Sequence, residues 1–393
     1  MSEARVLVAG GSIGGLTTAL VLSDLGYHVD VFERSSAALQ ERGAGIVVLP
    51  ITEQYFVRDG GDDSRVSLEL TYWSYIDRND RIISAHPDRY RFSGWNTIYR
   101  ALLDRFDADR YHLDSEMVSF DSRADGVTLH LADGRQRDGE LLICVDGIAS
   151  TGRSILLPDI HPTYVGYVAW RGTVPESELR DRTQDLLSDA MVYQVLDHSH
   201  ILAYAIPGHT GSTARADRVI NFVWYRNALA AEGYEELMTD RDGTFRPTTM
   251  PPHAIRRELV DEIHAVARAE LAPTLADVVC SSGEPMIQAI FDLEVPQMVF
   301  DRVCLLGDAA FGLRPHVAAG QAKACADAWA LADALGEADG DIDLALAAWE
   351  RRQLELGRSV LERTQEMGAA SQVHGTMVPG DPEWKFGLWE PGN

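Results

Sequence analysis

Three separated stretches of the chain hold acidic residues and glycines at spacings that suit a phosphate-rich dinucleotide. In VLVAGGSIGG (6–15) the small residues Gly10, Ser12, Gly14 and Gly15 let backbone approach a pyrophosphate, and the N–H groups that begin at Ile13 can stabilise its charge. Ser12 stands where GxGxxG has its second glycine, which narrows that approach without closing it. Glu33, about 20 residues after the turn and followed by Arg34, is placed to accept hydrogen bonds from a ribose. The second stretch, DGIASTGR (146–153), fits DGxxSxxR at each fixed position, through Asp146, Gly147, Ser150 and Arg153. The third, GDAAFGLRP (307–315), carries Gly307, Asp308, Arg314 and Pro315, with His316 and Gly320 just beyond. Each stretch taken singly also has a plainer reading: a glycine turn, an Asp-Gly turn before an N-cap serine, a helix cap.

The elements that must hold these residues can be read from periodicity. Val6–Val8, Val29–Phe32, Leu141–Val145 and Val303–Leu306 are short apolar runs of the buried-strand kind, each ending at one of the acidic or glycine positions. Leu16, Ala19, Leu20 and Leu22 follow at helical spacing. Alternation in 218–225 and in 201–206 predicts antiparallel strands, which bring Tyr225 and Tyr204 forward as residues facing a ligand or, equally, as core aromatics. The 342–369 segment has helical periodicity and is expected to pack as a C-terminal helix.

Order and spacing of the three motifs resemble the para-hydroxybenzoate hydroxylase family of FAD-dependent aromatic monooxygenases, and the likeness runs over nearly the whole chain. Further strings, YVAWRG (167–172), LAYAIPG (202–208) and PGDPEWKFGL near the C-terminus, resemble members of that family that act on hydroxylated pyridines. The resemblance implies an α/β fold: a Rossmann-like FAD lobe of the GR2 type, an inserted, mostly antiparallel substrate lobe and a C-terminal helix. The lobes are expected at 1–70, 97–165 and 280–340 for FAD, 71–96 and 166–279 for substrate, and 341–393 for the helix and tail.

The resemblance also implies FAD as cofactor, NADH or NADPH as electron donor, and oxygen transfer from dioxygen through a flavin C4a-hydroperoxide to an electron-rich ring such as 2,6-dihydroxypyridine. Asp146, Gly147, Ser150 and Arg153 would lie near the pyrophosphate and the nicotinamide path. Asp308, with Gly307 of the same cofactor-binding motif, would meet the ribityl chain, and Pro315 and the helix start at Gly320 would lie beside the isoalloxazine. Arg100 falls where the family carries an arginine touching FAD, and Gly43 and Gly45 would let backbone approach the flavin. His316 is the expected substrate hydrogen-bond partner or proton relay, since histidine titrates near neutral pH, though it can also be a capping or packed residue. Arg171 is expected either to pair with an anionic substrate or to tie backbone carbonyls. Phe311 and AAGQAK depart from the family pattern of histidine and GxGxN.

Composition narrows the setting. A net charge of −25 over 393 residues speaks against nucleic acid or anionic membrane as a partner. No apolar stretch approaches the roughly 18 to 20 residues that span a bilayer, and the first residues start a strand, so a cytoplasmic enzyme is expected, with a homodimer compatible. The four cysteines and twelve histidines have no metal-ligand spacing, and no metal is expected. A second nucleotide fingerprint is missing, so NAD(P)H would bind transiently across a groove. Other readings are a related hydroxylase or epoxidase of another phenolic or polycyclic ring, a non-catalytic flavin-binding protein, or an NAD-dependent dehydrogenase.

Overall fold

The protein is described by a computed structural model over residues 4–39, 44–58, 66–208, 210–229, 231–338 and 340–393. Among these residues a six-stranded sheet runs in the order Val299–Phe300, Val303–Leu305, Leu141–Cys144, Arg5–Ala9, His28–Phe32 and Tyr111–His112. Its neighbours are parallel except for the edge pair of Val299–Phe300 with Val303–Leu305. Parallel strands covered on both faces need apolar side chains throughout, and Val6–Ala9, Leu141–Cys144 and Val303–Leu305 are all buried. The helices Ile13–Asp24 and Gly320–Glu337 pack on one another beside this sheet. A small antiparallel sheet, Met117–Arg123, Gly126–Leu131 and Gln136–Gly139, lies next to it.

The second sheet has ten strands and is antiparallel except where Ala190–Leu196 runs parallel to Leu68–Ile76. Its centre is Thr163–Pro175, Val219–Asn227 and Ser199–Ile206. The pairing sets His200 opposite Tyr225, Leu202 opposite Val223 and Tyr204 opposite Asn221. Because side chains alternate along a strand, these six project from one face. Two strands depart from the expected lobe boundaries. Gly45–Val48 and Met286–Glu294, placed by sequence with the nucleotide lobe, belong to this larger sheet, where the first pairs with Ile82–Gly94 and the second with Thr163–Pro175.

The long helix Ile342–Gly368 matches the expected C-terminal helix and bridges the two sheets. Trp349 Nε1 donates to Asp327 O at 2.9 Å on the nucleotide side, and Gly368 faces Tyr167 and Arg314 on the other. Among the described residues no helix is long and apolar enough to cross a membrane.

Candidate active site

Four strand ends bring the motifs together. In register, Ala9 stands beside both Phe32 and Cys144, and Cys144 beside Leu305, so the segments that start at Gly10, Glu33, Val145 and Leu306 leave the same edge of the parallel sheet. Carboxyl ends of parallel strands are where open α/β sheets hold ligands. A cavity of about 520 Å³ opens there, inside the roughly 300–1,000 Å³ typical of ligand sites. Gly10, Ser12, Ile13, Gly14, Glu33, Arg34, Asp146, Gly147 and Asp308 line one end; Gly45, Tyr204, Tyr225, Pro315, His316 and Gly320 line the other. Gly15, Arg100, Arg153 and Gly307 are not part of this lining. Gly43 lies outside the described residues.

The glycine turn is held from both sides. Gly10 has φ +109°, and a Cβ there would fall 2.3 Å from the Val145 carbonyl oxygen, so any side chain is excluded. The Glu33 carboxylate accepts the N–H groups of Gly11 and Ser35, each at 2.9 Å, while Tyr111 donates to Gly11 O at 2.8 Å. Ser12, the residue before the helix Ile13–Asp24, caps it with no side-chain hydrogen bond, which leaves the first-turn N–H groups for an anion. The helix Gly320–Glu337 likewise begins after Ala319 without a side-chain cap. Two uncapped helix starts thus open on one cavity.

Unpartnered polar atoms collect at the same places. Asp146 accepts from Gly152 N–H through Oδ2 at 3.1 Å, but its buried Oδ1 has no partner. Both polar atoms of the Gln321 side chain, one residue into the second helix, are buried and unpartnered. Asp308 reaches into the cavity, and the surrounding protein pushes its carboxyl up to about 6, with Lys323 pulling the other way. Its side chain is open to the cavity, so a ligand seated there would strengthen that push.

Several expected roles change. Arg153 is buried and donates to Ala309 O at 3.1 Å and Ile148 O at 2.6 Å, a strap between the second and third motifs that does not face the cavity. Ser150 is the N-cap of Thr151–Leu156, accepting from Arg153 N–H at 2.9 Å. At Gly45 an added Cβ would meet the Asn221 side chain at 2.6 Å, so glycine is required there by Asn221, which accepts its N–H at 2.7 Å. Of the two roles expected of Arg171, the tie to backbone is present: it donates to Gly45 O at 2.9 Å and to Gln288 Oε1 at 3.0 Å, and it lines the cavity. Arg100 sits in the last turn of Trp95–Leu103 and is not among the residues that line the cavity.

The far end of the cavity is a chamber of aromatic and imidazole rings. His316 lies 4.5 Å from Tyr225 and 5.3 Å from His200, centroid to centroid, and Tyr225 lies 4.6 Å from His200. His316 Nε2 is 2.7 Å from the Tyr167 hydroxyl, whereas its Nδ1 is buried without a partner. Burial, then His200, then Arg314 hold His316 well below the usual histidine range, so near-neutral titration is lost and the ring is neutral. His200, bonded through Nδ1 to the Ser371 hydroxyl, is pushed by burial down to about 3. Burial also raises Tyr204 to about 12, with Arg171 pulling against it.

Tyr167, His200, Gln288, Gln321 and Phe386 were not singled out from the sequence. Tyr167 and Arg171 are four residues apart in one strand and so share a face, which was a usable signal. Phe386 carried none, because its approach depends on how the tail folds.

A cavity that runs from a glycine turn at the ends of parallel strands to a wall of aromatic and imidazole rings suits an oxidoreductase with a dinucleotide cofactor and a substrate site beside it. The chain belongs to the para-hydroxybenzoate hydroxylase family of FAD-dependent aromatic monooxygenases, with NAD(P)H as electron donor. It is 36% identical to the 2,6-dihydroxypyridine 3-monooxygenase of Paenarthrobacter nicotinovorans, over 98% of this chain and 96% of that one. The solved structure of 2,6-dihydroxypyridine-3-hydroxylase from Arthrobacter nicotinovorans superposes with a TM-score of 0.93 at 35% identity, covering 99% of this chain and 98% of that one. The 6-hydroxynicotinate 3-monooxygenase of Pseudomonas fluorescens is 25% identical over 98% of this chain and 94% of that one. A family model described as FAD binding domain-like matches residues 164–292. The residues present fit FAD: two open helix starts, two carboxylates and the orphaned Asp146 and Gln321 atoms supply what a pyrophosphate, a ribose and a flavin ring edge require.

Proposed function

We propose that this enzyme hydroxylates a dihydroxylated pyridine, of which 2,6-dihydroxypyridine is the type. The observation that carries the reading is the far end of the cavity, where the neutral His316 and His200 pack with Tyr225 into one aromatic and imidazole wall that offers ring faces and hydrogen-bonding groups to a planar ligand. The names of the relatives at 36% and 25% identity, both hydroxylases of pyridine rings, support it.

In this reading Ser12, Ile13 and Gly14 hold the FAD pyrophosphate with the glycines Gly10 and Gly15 shaping the turn, and Glu33 holds the adenosine ribose with Arg34 beside it. Asp146 and Gly147 border the pyrophosphate. Asp308, positioned by Gly307, would hold the ribityl chain, and Pro315 and the N–H groups from Gly320 would serve the isoalloxazine. Arg153 ties the second and third motifs together from behind. FAD held by these residues would supply hydride acceptance from NAD(P)H and the activation of dioxygen. The protein's share is to orient and desolvate: Tyr225, Tyr204 and His316 set the ring plane, Arg171 offsets negative charge on a deprotonated substrate, and the buried aromatic wall keeps water out. The strongly acidic surface supports a cytoplasmic enzyme without nucleic-acid partners. It also leaves a homodimer open to test by sedimentation.

Anaerobic mixing of the holoenzyme with NADH or NADPH tests the substrate. Flavin bleaching that accelerates many-fold on addition of 2,6-dihydroxypyridine is the expected result. Bleaching that ignores the pyridine, while another hydroxylated ring accelerates it, would remove the assignment.

A further inference from the structure

We propose that Tyr167 and Arg314 lock His316 into the neutral tautomer that carries its proton on Nδ1, so that His316 presents a fixed N–H donor to an acceptor oxygen of the substrate. The inference deepens the reading of the chamber as the substrate site.

A neutral imidazole has one N–H and one acceptor nitrogen, and which is which follows from its partners. Nε2 lies 2.7 Å from the Tyr167 hydroxyl, and that hydroxyl has a single proton to give. Its other neighbour is Arg314, a group with donors only. Arg314 spends Nε and Nη2 on a bidentate pair with Asp292, at 2.7 and 2.6 Å. Its remaining Nη1 faces the same point in space as the Tyr167 oxygen: a Cβ built on Gly368 would lie 2.8 Å from the one and 2.6 Å from the other. A hydroxyl beside a guanidinium turns its lone pairs to the cation and its proton away. The proton therefore goes to His316, Nε2 accepts, and the ring's own hydrogen is on Nδ1.

That Nδ1 is buried and has no partner in the protein, on a ring that lines the cavity. An unpaired buried donor costs free energy until a ligand satisfies it, so it selects for an acceptor. A hydroxypyridine offers one as a pyridone carbonyl or a deprotonated hydroxyl. The other titratable rings around His316 meet it through ring contact and make no hydrogen bond to its Nδ1: His200 bonds Ser371 through its own Nδ1, and Tyr225 packs beside both. His316 is thus a donor to the substrate, and Tyr167 and Arg314 are positioning residues acting through it. Taking up the substrate proton as a base would need a free lone pair at Nδ1, which this tautomer lacks.

The test is ¹⁵N NMR of histidine-labelled holoenzyme without substrate, with the His316 signals assigned by their disappearance in His316→Gln. The expected wild-type pattern is a protonated Nδ1 and an unprotonated Nε2. In Tyr167→Phe the lock is gone and the Nε2-protonated form becomes populated, with the KM for 2,6-dihydroxypyridine raised roughly three- to tenfold, the worth of one neutral hydrogen bond. Arg314→Lys, which keeps the cation, retains the Nδ1 tautomer; Arg314→Met does not. A wild-type His316 protonated on Nε2, or a tautomer indifferent to Tyr167→Phe and Arg314→Met alike, overturns the proposal. Because the tautomer is read before any substrate is added, failure of the pyridine to bind would be recognised separately, as failure of the substrate assignment.

Discussion

His316 shows how environment rewrites a residue's chemistry. At 2% exposure, between His200 and Arg314, it is neutral across the physiological range and acts through hydrogen-bond direction. Ala318, two residues on, holds φ +58°, a left-handed conformation that costs a residue with a Cβ about 1–2 kcal/mol. We expect Ala318→Gly to stabilise the fold by roughly 0.5–1 kcal/mol once glycine's larger entropic loss is counted, checked by denaturant midpoint of the apoprotein. A destabilised variant would show that the methyl group packs well enough to offset the strain. Glu33, Asp146 and Asp308 were legible in the sequence because each ends an apolar run and meets a motif at fixed spacing. Tyr167, His200 and Gln288 were not, since an aromatic or polar residue on an alternating strand reads the same whether it faces core or cavity. The position of the Arg153 guanidinium was hidden for a related reason: the motif fixes where its backbone lies, and only the packed third motif supplies the carbonyls it bonds.

Among elements, the helix Gly320–Glu337 carries a second device. Lys323, one of only two lysines in the chain, is fully buried and donates to both oxygens of Asp327, at 2.7 and 2.8 Å, and Asp327 in turn accepts the Gly307 N–H at 3.0 Å. The pair anchors the loop that carries Asp308. Lys323→Met leaves Asp327 buried and unpaired and should cost about 3–5 kcal/mol, with FAD retention falling alongside, whereas Lys323→Met with Asp327→Leu should recover much of the stability. Equal losses in the single and double variants would rule out the unpaired charge as the cause. The tail is the other element of consequence. Phe386 lines the chamber and packs on Trp73 and Tyr90, at 4.9 and 5.3 Å between centroids. Gly387 N–H donates to Val317 O at 3.2 Å and Lys385 pairs with Asp88 at 2.7 Å, fixing the tail beside His316. Phe386→Ala should shift kcat/KM at least about tenfold toward ring-alkylated hydroxypyridines, measured against the unsubstituted ring; an unchanged ratio would mean the tail does not bound the substrate. The strand ends that assemble the nucleotide site were readable as local runs, but membership of Gly45–Val48 and Met286–Glu294 in the larger sheet depends on long-range pairing that local pattern does not encode.

Across the whole molecule, two buried neutral histidines tie stability to pH. His200 and His316 have folded-state pKa values depressed below the unfolded value of about 6.5, so the unfolded chain binds more protons in acid. The stability they contribute is complete above pH 6.5 and is lost as pH falls from there toward about 3 for His200, at roughly 1.4 kcal/mol per pH unit for each histidine. His200→Gln should make the acid limb of a denaturation profile visibly shallower; an unchanged slope would mean that water reaches His200. The larger plan joins a sheet that holds the cofactor by its strand ends to a sheet that offers one face to the ring, with the helix Ile342–Gly368 spanning both. In that plan, oxygen activated at the cofactor is delivered to a hydroxypyridine at the far end of the cavity. The most direct test is turnover with 2,6-dihydroxypyridine and NAD(P)H under ¹⁸O₂, with mass analysis of the product. The account predicts a trihydroxypyridine carrying one ¹⁸O atom, with none acquired from labelled water; NAD(P)H consumption that yields only hydrogen peroxide and returns the pyridine unchanged would contradict it.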